Sequence, residues 1–415
     1  MPDCSITDSG QEGRQMQYRE SRNGEKLSVL GFGCMRFTRK GGSIDIDKAE
    51  KEIMAAYEGG VNYYDTAYIY PGSEAALGEI LQRNNIREKV YIATKLPQYL
   101  ISGGKGIDKL FAEELERLRT DYVDFYLMHH LSDIAQWERL KNMGILDWIA
   151  ERRKEGSIRN IGFSFHGNTE SFLKILNDYD WDFCQIQYNY IDENSQAGAT
   201  GLRAAAEKGI PVIIMEPLRG GKLVNMLPEG ARKAISENGR GWSAAEWGLR
   251  WLYNQKEVTV VLSGMNSLEM VQENIRTASD SPAGHLTDAD FAVIDTIRRE
   301  FAVHEKVGCT GCRYCMPCPR GVDIPGIFSC WNTMYSESKL DGRRQYFQAV
   351  ALTREPSHAG MCIGCGKCEK HCPQSIPIRQ KLKEADREIR RFPYNAVISV
   401  GRRIMMRSAA KRKKD

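Results

Sequence analysis

The sequence has no run of about 18 uncharged apolar residues, the length that a transmembrane helix needs. Its first thirty residues are rich in Gln, Glu, Ser and Arg and lack the apolar segment of a secretory signal peptide. These absences argue against a membrane span and against export. We therefore expect a cytoplasmic protein.

Basic residues are concentrated at one end of the chain and are outnumbered by acidic ones elsewhere. The formal net charge is +4, yet residues 387–415 carry ten Lys or Arg and only two acidic residues. Such a run could bind nucleic acid or an anionic membrane surface, but we favour the simpler interpretation of a solvated basic tail. No other basic segment is interleaved with aromatic residues, so we expect no nucleic-acid partner.

A complete glycine motif for dinucleotide binding is also missing. In a doubly wound fold, the first turn after a strand carries Gly-x-Gly-x-x-Gly. The segment Gly31-Phe32-Gly33-Cys34-Met35-Arg36 has Arg36 in place of the third glycine. The sequence therefore disfavours a doubly wound nucleotide-binding domain.

Short apolar runs alternate with amphipathic stretches from Val29 to about Ser279, which is typical of βα units and a parallel sheet. Eight such units match a (β/α)8 TIM barrel in number and length. The strand candidates are Val29–Met35, Val61–Ala67, Val90–Lys95, Tyr122–His129, Ile158–Ser164, Phe183–Asn189, Pro211–Pro217 and Val258–Gly264. Residues 16–28 predict a β-hairpin with an Asn-Gly turn, placed to plug the bottom of the barrel.

Eight of the twelve cysteines lie in two short runs, a distribution that predicts metal binding rather than disulfides. Each run has three cysteines at intervals of three residues and a fourth that precedes proline. In such runs three thiolates bind one four-iron, four-sulfur cluster and the fourth reaches the partner cluster. Zinc sites also use Cys-x-x-Cys pairs, but two crowded runs of four fit single-metal sites poorly. We therefore predict two 4Fe-4S clusters.

On this logic the two runs exchange their fourth ligand. One cluster is held by Cys309, Cys312, Cys315 and Cys372, and the other by Cys318, Cys362, Cys365 and Cys368. The pattern resembles that of bacterial dicluster ferredoxins, although Cys318 follows Cys315 by three residues instead of four. Helical patterns around Ile327–Glu337 and Arg343–Leu352 indicate a mainly α-helical domain, in which Cys330 is expected to be a packed thiol.

A chain of 415 residues has room for one barrel and one smaller unit. The predicted units are an N-terminal tail at 1–17, the barrel at 18–300, a dicluster ferredoxin-like domain at 301–386 and the basic tail at 387–415.

Four polar residues fall at the C-terminal ends of neighbouring predicted strands, where TIM-barrel enzymes have their active sites. Asp65 ends the second strand, Tyr70 follows five residues later, and Lys95 and His129 end the third and fourth strands. Each has a structural explanation on its own, but together they predict a catalytic site. An ammonium group beside a phenol is expected to lower the pKa of Tyr70, and Asp65 would keep Lys95 charged.

These four residues resemble the Asp-Tyr-Lys-His tetrad of the aldo/keto reductase family, and the resemblance covers essentially the whole predicted barrel. It implies hydride transfer between NAD(H) or NADP(H) and the carbonyl group of a small molecule. In this interpretation Tyr70 donates the proton and His129 orients the carbonyl oxygen. His130 would take the second role if the strand register were shifted by one residue.

The same resemblance implies a set of cofactor-binding positions. They are Gly33, Met35, Arg36, Asp65, Ser164, Gln185, Leu218, Arg219, Gly220, Asn266, Glu273 and Asn274. Phe165-His166 follows Ser164 where the family often has Asn, and Met215 replaces a ring-stacking aromatic residue. Gly264 and Met270 stand where many members carry a Lys and an Arg for the 2′-phosphate. We therefore predict that NADH binds at least as well as NADPH, the alternative being that Arg276 reaches the 2′-phosphate from the next helical turn and restores a preference for NADPH.

Two functional interpretations follow. The first is a carbonyl or enone reductase whose clusters exchange single electrons with a partner such as a ferredoxin or a flavoprotein. Hydride moves two electrons and each cluster moves one, so coupling them needs a flavin or a radical step, and no flavin motif is evident. The second is a non-catalytic redox sensor or electron-transfer adaptor that merely binds nicotinamide. The intact tetrad favours the enzyme, because a pure binder has no need for Tyr70 and Lys95 together.

Overall fold

The computed structural model of the protein describes residues 15–303, 305–309, 311, 313–353, 355–372 and 374–411, with side chains described as far as residue 403. The predicted cluster ligand Cys312 and most of the predicted N-terminal tail lie outside these residues. No helix in the described part of the chain is both long enough and apolar enough to cross a bilayer.

Eight parallel strands close into a barrel, which confirms the fold class predicted from the eight βα units. The barrel strands are β3 (Leu30–Gly33), β6 (Tyr63–Asp65), β7 (Tyr91–Leu96), β8 (Val123–Leu131), β9 (Ile158–Phe165), β10 (Phe183–Gln187), β11 (Val212–Met215) and β12 (Val258–Ser263). Their ends differ from the predicted ends by at most two residues. Several predicted strands extend past the paired residues because apolar residues continue into the turn that leaves the sheet. After β3, for example, the chain enters the 3₁₀ turn Cys34–Arg36, in which Cys34 is buried and Met35 is exposed.

Two short antiparallel pairs accompany the barrel: β1 (Tyr18–Glu20) with β2 (Lys26–Ser28), and β4 (Arg39–Lys40) with β5 (Ser43–Ile44). The first pair is the predicted hairpin, and Gly24 in its turn has a φ of +87°, which glycine adopts without strain. Leu27 from this hairpin is fully buried among the inward-facing barrel residues Tyr63, Phe125 and Phe183. The hairpin therefore plugs the barrel at its N-terminal end, as predicted.

Helices surround the barrel and bury apolar residues in the same core as the strands. They are α1 (Ile46–Glu58), α2 (Ser73–Arg83), α3 (Gly104–Leu118), α4 (Ile134–Lys141), α5 (Ile145–Glu155), α6 (Thr169–Asp178), α7 (Gly198–Glu207), α8 (Lys222–Asn225), α9 (Glu229–Glu237), α10 (Ala244–Tyr253), α11 (Leu268–Ser279) and α12 (Asp288–Ala302). Polar N-caps set several helix starts: Thr287 and Asp290 form a capping box at α12.

The C-terminal part is mainly α-helical, as predicted, and has its own core. It contains α13 (Ile324–Ser336), α14 (Lys339–Tyr346), α15 (Lys367–Lys370), α16 (Ile378–Ile389) and α17 (Tyr394–Lys411). A five-residue π-helix, Phe347–Ala351, continues α14. Cys330 is buried in this core beside Phe328 and Trp331, in agreement with its prediction as a packed thiol.

The segment 387–415 differs from the expected solvated tail. Its first residues belong to α16, and α17 follows after a short turn. Ile398 of α17 is 3% exposed in the second core, and the guanidinium carbon of Arg343 lies 4.2 Å from the ring centroid of Tyr394. The prediction of a solvated tail missed this helix because it rested on the number of basic residues. Composition alone does not show which face of a segment packs against the rest of the protein.

Candidate active site and cluster-binding region

A buried ion pair lies at the C-terminal end of two adjacent barrel strands. Lys95 of β7 donates from Nζ to Oδ1 of Asp65 at the end of β6, at 2.6 Å, and to the carbonyl of Thr66, also at 2.6 Å. The other oxygen of Asp65 accepts a hydrogen bond of 3.2 Å from Nε2 of Gln185, which lies on β10. These contacts hold the ammonium group in one position at the barrel centre.

Tyr70 and His129 complete the predicted tetrad. Lys95 Nζ is 5.4 Å from the ring centroid of Tyr70, and the rings of Tyr70 and His129 meet edge to face at 6.3 Å between centroids. The neighbouring His130 has a φ of +57° and directs its ring toward His166, with centroids 4.7 Å apart. His129 is therefore the imidazole beside Tyr70, and the alternative role for His130 is not supported.

The expected lowering of the Tyr70 pKa is wrong. Burial raises the pKa of this phenol well above its usual value, and the carboxylates of Asp65 and Glu216 raise it further. The main reason is that burial disfavours the charged phenolate, and the negative charge of Asp65 nearby disfavours it further. Tyr70 therefore keeps its proton throughout the physiological pH range.

Three neighbouring imidazoles are held neutral. Burial lowers the pKa of His129 well below its usual value, and nearby Lys95 adds to this effect. Burial likewise lowers the pKa of His130 to about 3 and that of His166 to about 4. His129 can thus act as a neutral hydrogen-bonding group beside Tyr70 but not as a cation.

This arrangement predicts that His129, His130 and His166 do not titrate near neutrality. We expect their imidazole nitrogen signals to stay at neutral-ring positions from about pH 8 down to about pH 5, because burial lowers the pKa of each of the three rings below its usual value. Nuclear magnetic resonance of the protein labelled with ¹⁵N-histidine measures this, and single His→Gln variants assign the signals. A midpoint between about pH 6 and pH 7 for any of the three would contradict the predicted neutrality.

Several predicted cofactor positions meet at the barrel mouth around the side chain of Arg36. A β-carbon added to Gly264 would stand 2.7 Å from Cδ of Arg36, and one added to Gly220 would stand 2.8 Å from its Nη2. Gly33 approaches the backbone of Ser263. The absence of side chains at these glycines thus makes room for a guanidinium group. The sequence comparison suggested no cation at Gly264, whereas the fold brings one there from the turn after β3.

Two further predicted residues are buried: Ser164 near the end of β9 and Gln185 in the middle of β10. Ser164 Oγ accepts a hydrogen bond of 2.8 Å from the backbone N–H of His130. Oε1 of Gln185 is buried and has no hydrogen-bond partner among the described residues. Leaving such an atom unpaired is costly, so Gln185 is suited to accept a hydrogen bond from a bound carboxamide.

The remaining predicted cofactor-binding residues either contact other residues of the barrel or are at least partly exposed. Asn274 donates to Ser263 Oγ at 2.9 Å, and Glu273 accepts from the hydroxyl of Ser243, the N-cap of α10. Leu218 lies against Gly248 of α10. Met35 is 63% exposed at the mouth, and Asn266 lies half-buried in the turn before α11.

Arg219 has a role that sequence reasoning missed. Its guanidinium group is buried and binds Asp192, with Nε 2.8 Å from Oδ2, and it also binds Glu337, which follows α13. Although burial opposes ionisation, Arg219 holds the pKa of Asp192 below its usual value. Lys222 Nζ lies 2.7 Å from Glu337 Oε2. The sequence gives no signal for this cluster, because Glu337 is 118 residues from Arg219.

The same face of the barrel makes further contacts with the ferredoxin-like domain. Arg313 binds Glu170 of α6, and the hydroxyls of Ser195 and Ser329 are 3.0 Å apart. The backbone N–H of Glu355 donates to Asp133, just after β8, at 3.2 Å. The domain therefore lies against the C-terminal ends of the barrel strands, on the same side as the tetrad.

The seven described cysteines of the two runs line two cavities in the ferredoxin-like domain. One cavity is lined by Cys318, Cys362, Cys365 and Cys368, the other by Cys309 and Cys372, and Cys315 borders both. Cys372 of the second run thus shares a cavity with Cys309 of the first run. Cys318 of the first run shares the other cavity with three cysteines of the second run. These are the groupings that the crossed assignment predicts. No three His, Cys, Asp or Glu side chains of the described residues converge as they would on a single ion. Thiols spread around a cavity wall are a donor set suited to a cluster.

Two parts of the chain match known protein families. Residues 29–299 match the aldo/keto reductase family, and residues 308–376 match a 4Fe-4S dicluster domain. The chain is 27% identical to the L-galactose dehydrogenase of Arabidopsis thaliana over 62% of this chain and 86% of that protein. It is 26% identical to an uncharacterized oxidoreductase of Bacillus subtilis over 65% and 92% of the two chains.

Solved structures show the same barrel fold. An aldo-keto reductase from Bacillus halodurans, in its holo form, superposes with a TM-score of 0.57 at 24% identity, covering 68% of this chain and 96% of that one. An aldo/keto reductase from Klebsiella pneumoniae, in complex with NADP and acetate, also gives a TM-score of 0.57 at 22% identity, with 68% and 95% of the chains covered.

Proposed function

Because the chain belongs to the aldo/keto reductase family and carries a C-terminal 4Fe-4S dicluster domain, we propose that it transfers hydride between a nicotinamide cofactor and the carbonyl group of a small molecule. The observation that carries this proposal is the buried Lys95–Asp65 pair beside Tyr70 and His129. A barrel that only bound nicotinamide would have no need of a fixed ammonium group beside a protonated phenol.

The residues of the tetrad have distinct tasks in the reducing direction. Bound NAD(H) or NADP(H) supplies the hydride. Tyr70 holds a proton on Oη and gives it to the carbonyl oxygen as negative charge develops there. Lys95 stands near enough to stabilise the resulting phenolate, and its hydrogen bond to Asp65 holds the ammonium group in place. His129, as a neutral imidazole, orients the carbonyl oxygen by a hydrogen bond.

Cofactor binding is assigned to the barrel mouth. Gln185, through its unpaired buried oxygen, would receive the carboxamide together with Ser164. Gly33, Gly220 and Arg36 would hold the phosphates, because two glycines allow close approach and the guanidinium group supplies charge. Arg219 is left out of this assignment, since two buried carboxylates already bind it.

The eight cysteines of the two runs are proposed to hold two 4Fe-4S clusters, with the crossed ligation described above. The clusters would supply single-electron transfer between the barrel and a partner protein such as a ferredoxin or a flavoprotein. The position of the ferredoxin-like domain, against the same end of the barrel as the tetrad, supports this proposal.

Anaerobic purification followed by iron and sulfide analysis tests the cluster assignment. Oxidation of NADH and NADPH in the presence of a panel of aldehydes, ketones and conjugated carbonyl compounds then tests the enzyme assignment. Turnover with at least one carbonyl is expected. Tight nicotinamide binding without turnover of any of them would instead favour the redox sensor or adaptor.

Cofactor preference is a separate prediction. We expect NADH to bind at least as well as NADPH, because Gly264 and Met270 provide no cation for a 2′-phosphate. Arg36 reaches Gly220 and is assigned to the phosphates that both cofactors share. Arg36→Ala should therefore weaken both by a similar factor, about tenfold. Dissociation constants measured at fixed salt, with Lys40→Ala as a control at the same mouth, check this. A loss confined to NADPH would assign Arg36 to the 2′-phosphate.

A further inference from the structure

The cavity lined by Cys318, Cys362, Cys365 and Cys368 opens to solvent. Cys365 is exposed, and two large apolar side chains beside it are also exposed: Ile363 at 64% and Tyr314 at 68%. Exposed apolar residues grouped at one place on a surface mark interaction sites more often than isolated ones do. Here they stand directly over thiols that the proposed function assigns to a cluster.

The rim of this cavity is positively charged. Arg320, Lys367 and Arg379 line it and are exposed, and no Asp or Glu does so among its described lining residues. Lys370 is exposed nearby. The adjacent Glu369 is paired with Arg379, whose Nη2 lies 2.8 Å from Oε2. The surface therefore has an apolar centre and a basic border.

The other cavity faces the barrel instead. Arg313, which lines it beside Cys309 and Cys372, forms an ion pair with Glu170 of α6. Gly311, between the cysteines of the first run, packs so closely on Asn194 that an added β-carbon would stand 2.4 Å from it. The two cysteine cavities thus have an order: one lies next to the barrel and the other next to solvent.

We propose that the solvent-facing surface formed by Tyr314, Arg320, Ile363, Lys367 and Arg379 is the docking site of an acidic one-electron carrier protein. The carrier passes one electron to the cluster held by Cys318, Cys362, Cys365 and Cys368. The carrier is oxidised by one electron and the cluster is reduced by one, with no bond or proton transferred. The proposal rests on the proposed function in requiring that these thiols hold a cluster.

Charge complementarity indicates which kind of carrier protein binds this surface. Carriers that dock through opposite charge associate faster than neutral pairs, and added salt slows them. An acidic protein gains from Arg320, Lys367 and Arg379, whereas a basic one is repelled. The cations could instead serve only to balance the negative charge of the ligated cluster. In that case they would affect reduction by every reductant alike.

A matched pair of charge reversals separates these cases. Arg320→Glu combined with Lys367→Glu alters the docking surface. Lys154→Glu combined with Lys208→Glu makes the same change in net charge on exposed residues just before β9 and β11, at the opposite end of the barrel. Stopped-flow absorbance of the anaerobic holoprotein follows cluster reduction by a small acidic ferredoxin and, separately, by the neutral reductant photoreduced 5-deazariboflavin. Titration with the oxidised ferredoxin measures the dissociation constant of the complex.

We expect the ferredoxin rate constant to fall at least about tenfold in the surface variant at low salt, and the dissociation constant to rise similarly. The control variant and both deazariboflavin rates should stay within about twofold of the wild type. Equal losses in surface and control variants, or a wild-type rate that salt does not lower, would overturn the docking proposal. If the surface variant lost as much rate with deazariboflavin as with ferredoxin, the cations would serve only to balance the negative charge of the cluster. Absence of iron and sulfide would overturn the proposed function itself, before any docking is measured.

Discussion

Replacement of Tyr70 by phenylalanine should lower kcat for carbonyl reduction by about 10²–10⁴-fold, with little change in cofactor affinity. The variant loses one hydroxyl group and keeps the ring that packs against His129 and faces Lys95. Because burial and Asp65 keep the phenol protonated, the loss removes a proton that is present at every accessible pH. The deficit should therefore persist, undiminished, between about pH 6 and pH 9.

The measurement is single-turnover oxidation of the reduced cofactor together with its dissociation constant, so that chemistry and binding are separated. Tyr99→Phe is the matched control: Tyr99 is 45% exposed at the same mouth, and its ring is 6.4 Å from that of His129. The control should retain activity within about twofold. Retained turnover in Tyr70→Phe would show that another group donates the proton. Equal losses of activity in both variants would indicate a general disturbance of the barrel mouth.

Removal of Cys365 and Cys372 together should abolish both clusters, although both residues belong to the second run. In the crossed arrangement Cys365 lines the solvent-facing cavity with Cys318, whereas Cys372 lines the other cavity with Cys309. Each single Cys→Ala change should leave about four of about eight irons, and the double variant should leave almost none. If each run held its own cluster, the double variant would still retain about four irons.

Iron and acid-labile sulfide, measured on anaerobically purified protein, distinguish these outcomes. Cys330→Ala is the control, since Cys330 lies in the same domain but borders neither cavity. It should keep the full iron content. Stoichiometric zinc without sulfide in the wild type would reject clusters altogether, in favour of the zinc alternative.

Buried ion pairs at Arg219 join the barrel to the ferredoxin-like domain. Asp192 of the barrel and Glu337 of the ferredoxin-like domain bind the same guanidinium group, and Lys222 joins them. Breaking a buried pair leaves a desolvated charge without its partner, which is strongly destabilising. These ion pairs therefore favour one arrangement of the ferredoxin-like domain on the barrel over free movement of the two domains about a linker.

Much of this protein could be predicted from local sequence pattern. Eight βα units, the hairpin plug at Leu27 and the capped start of α12 follow from periodicity and capping residues, which act within a few positions along the chain. The division of cysteines between two cavities was likewise predictable, because the spacing within each run limits which thiols can share a cluster. The Asp-Tyr-Lys-His set was found because strand ends in a barrel converge on one face.

Other properties were decided only by the tertiary structure. The pKa of Tyr70 rises because the phenol is buried and because Asp65 and Glu216 lie near it, an environment that no sequence spacing reveals. Arg219 binds Glu337, and Arg36 lies across Gly264, because the fold brings together residues more than a hundred positions apart. The basic C-terminal segment forms a helix that packs through Ile398. Short-range pattern specifies elements and strand ends, whereas charge balance and contacts between domains depend on burial, which exists only once the chain has folded.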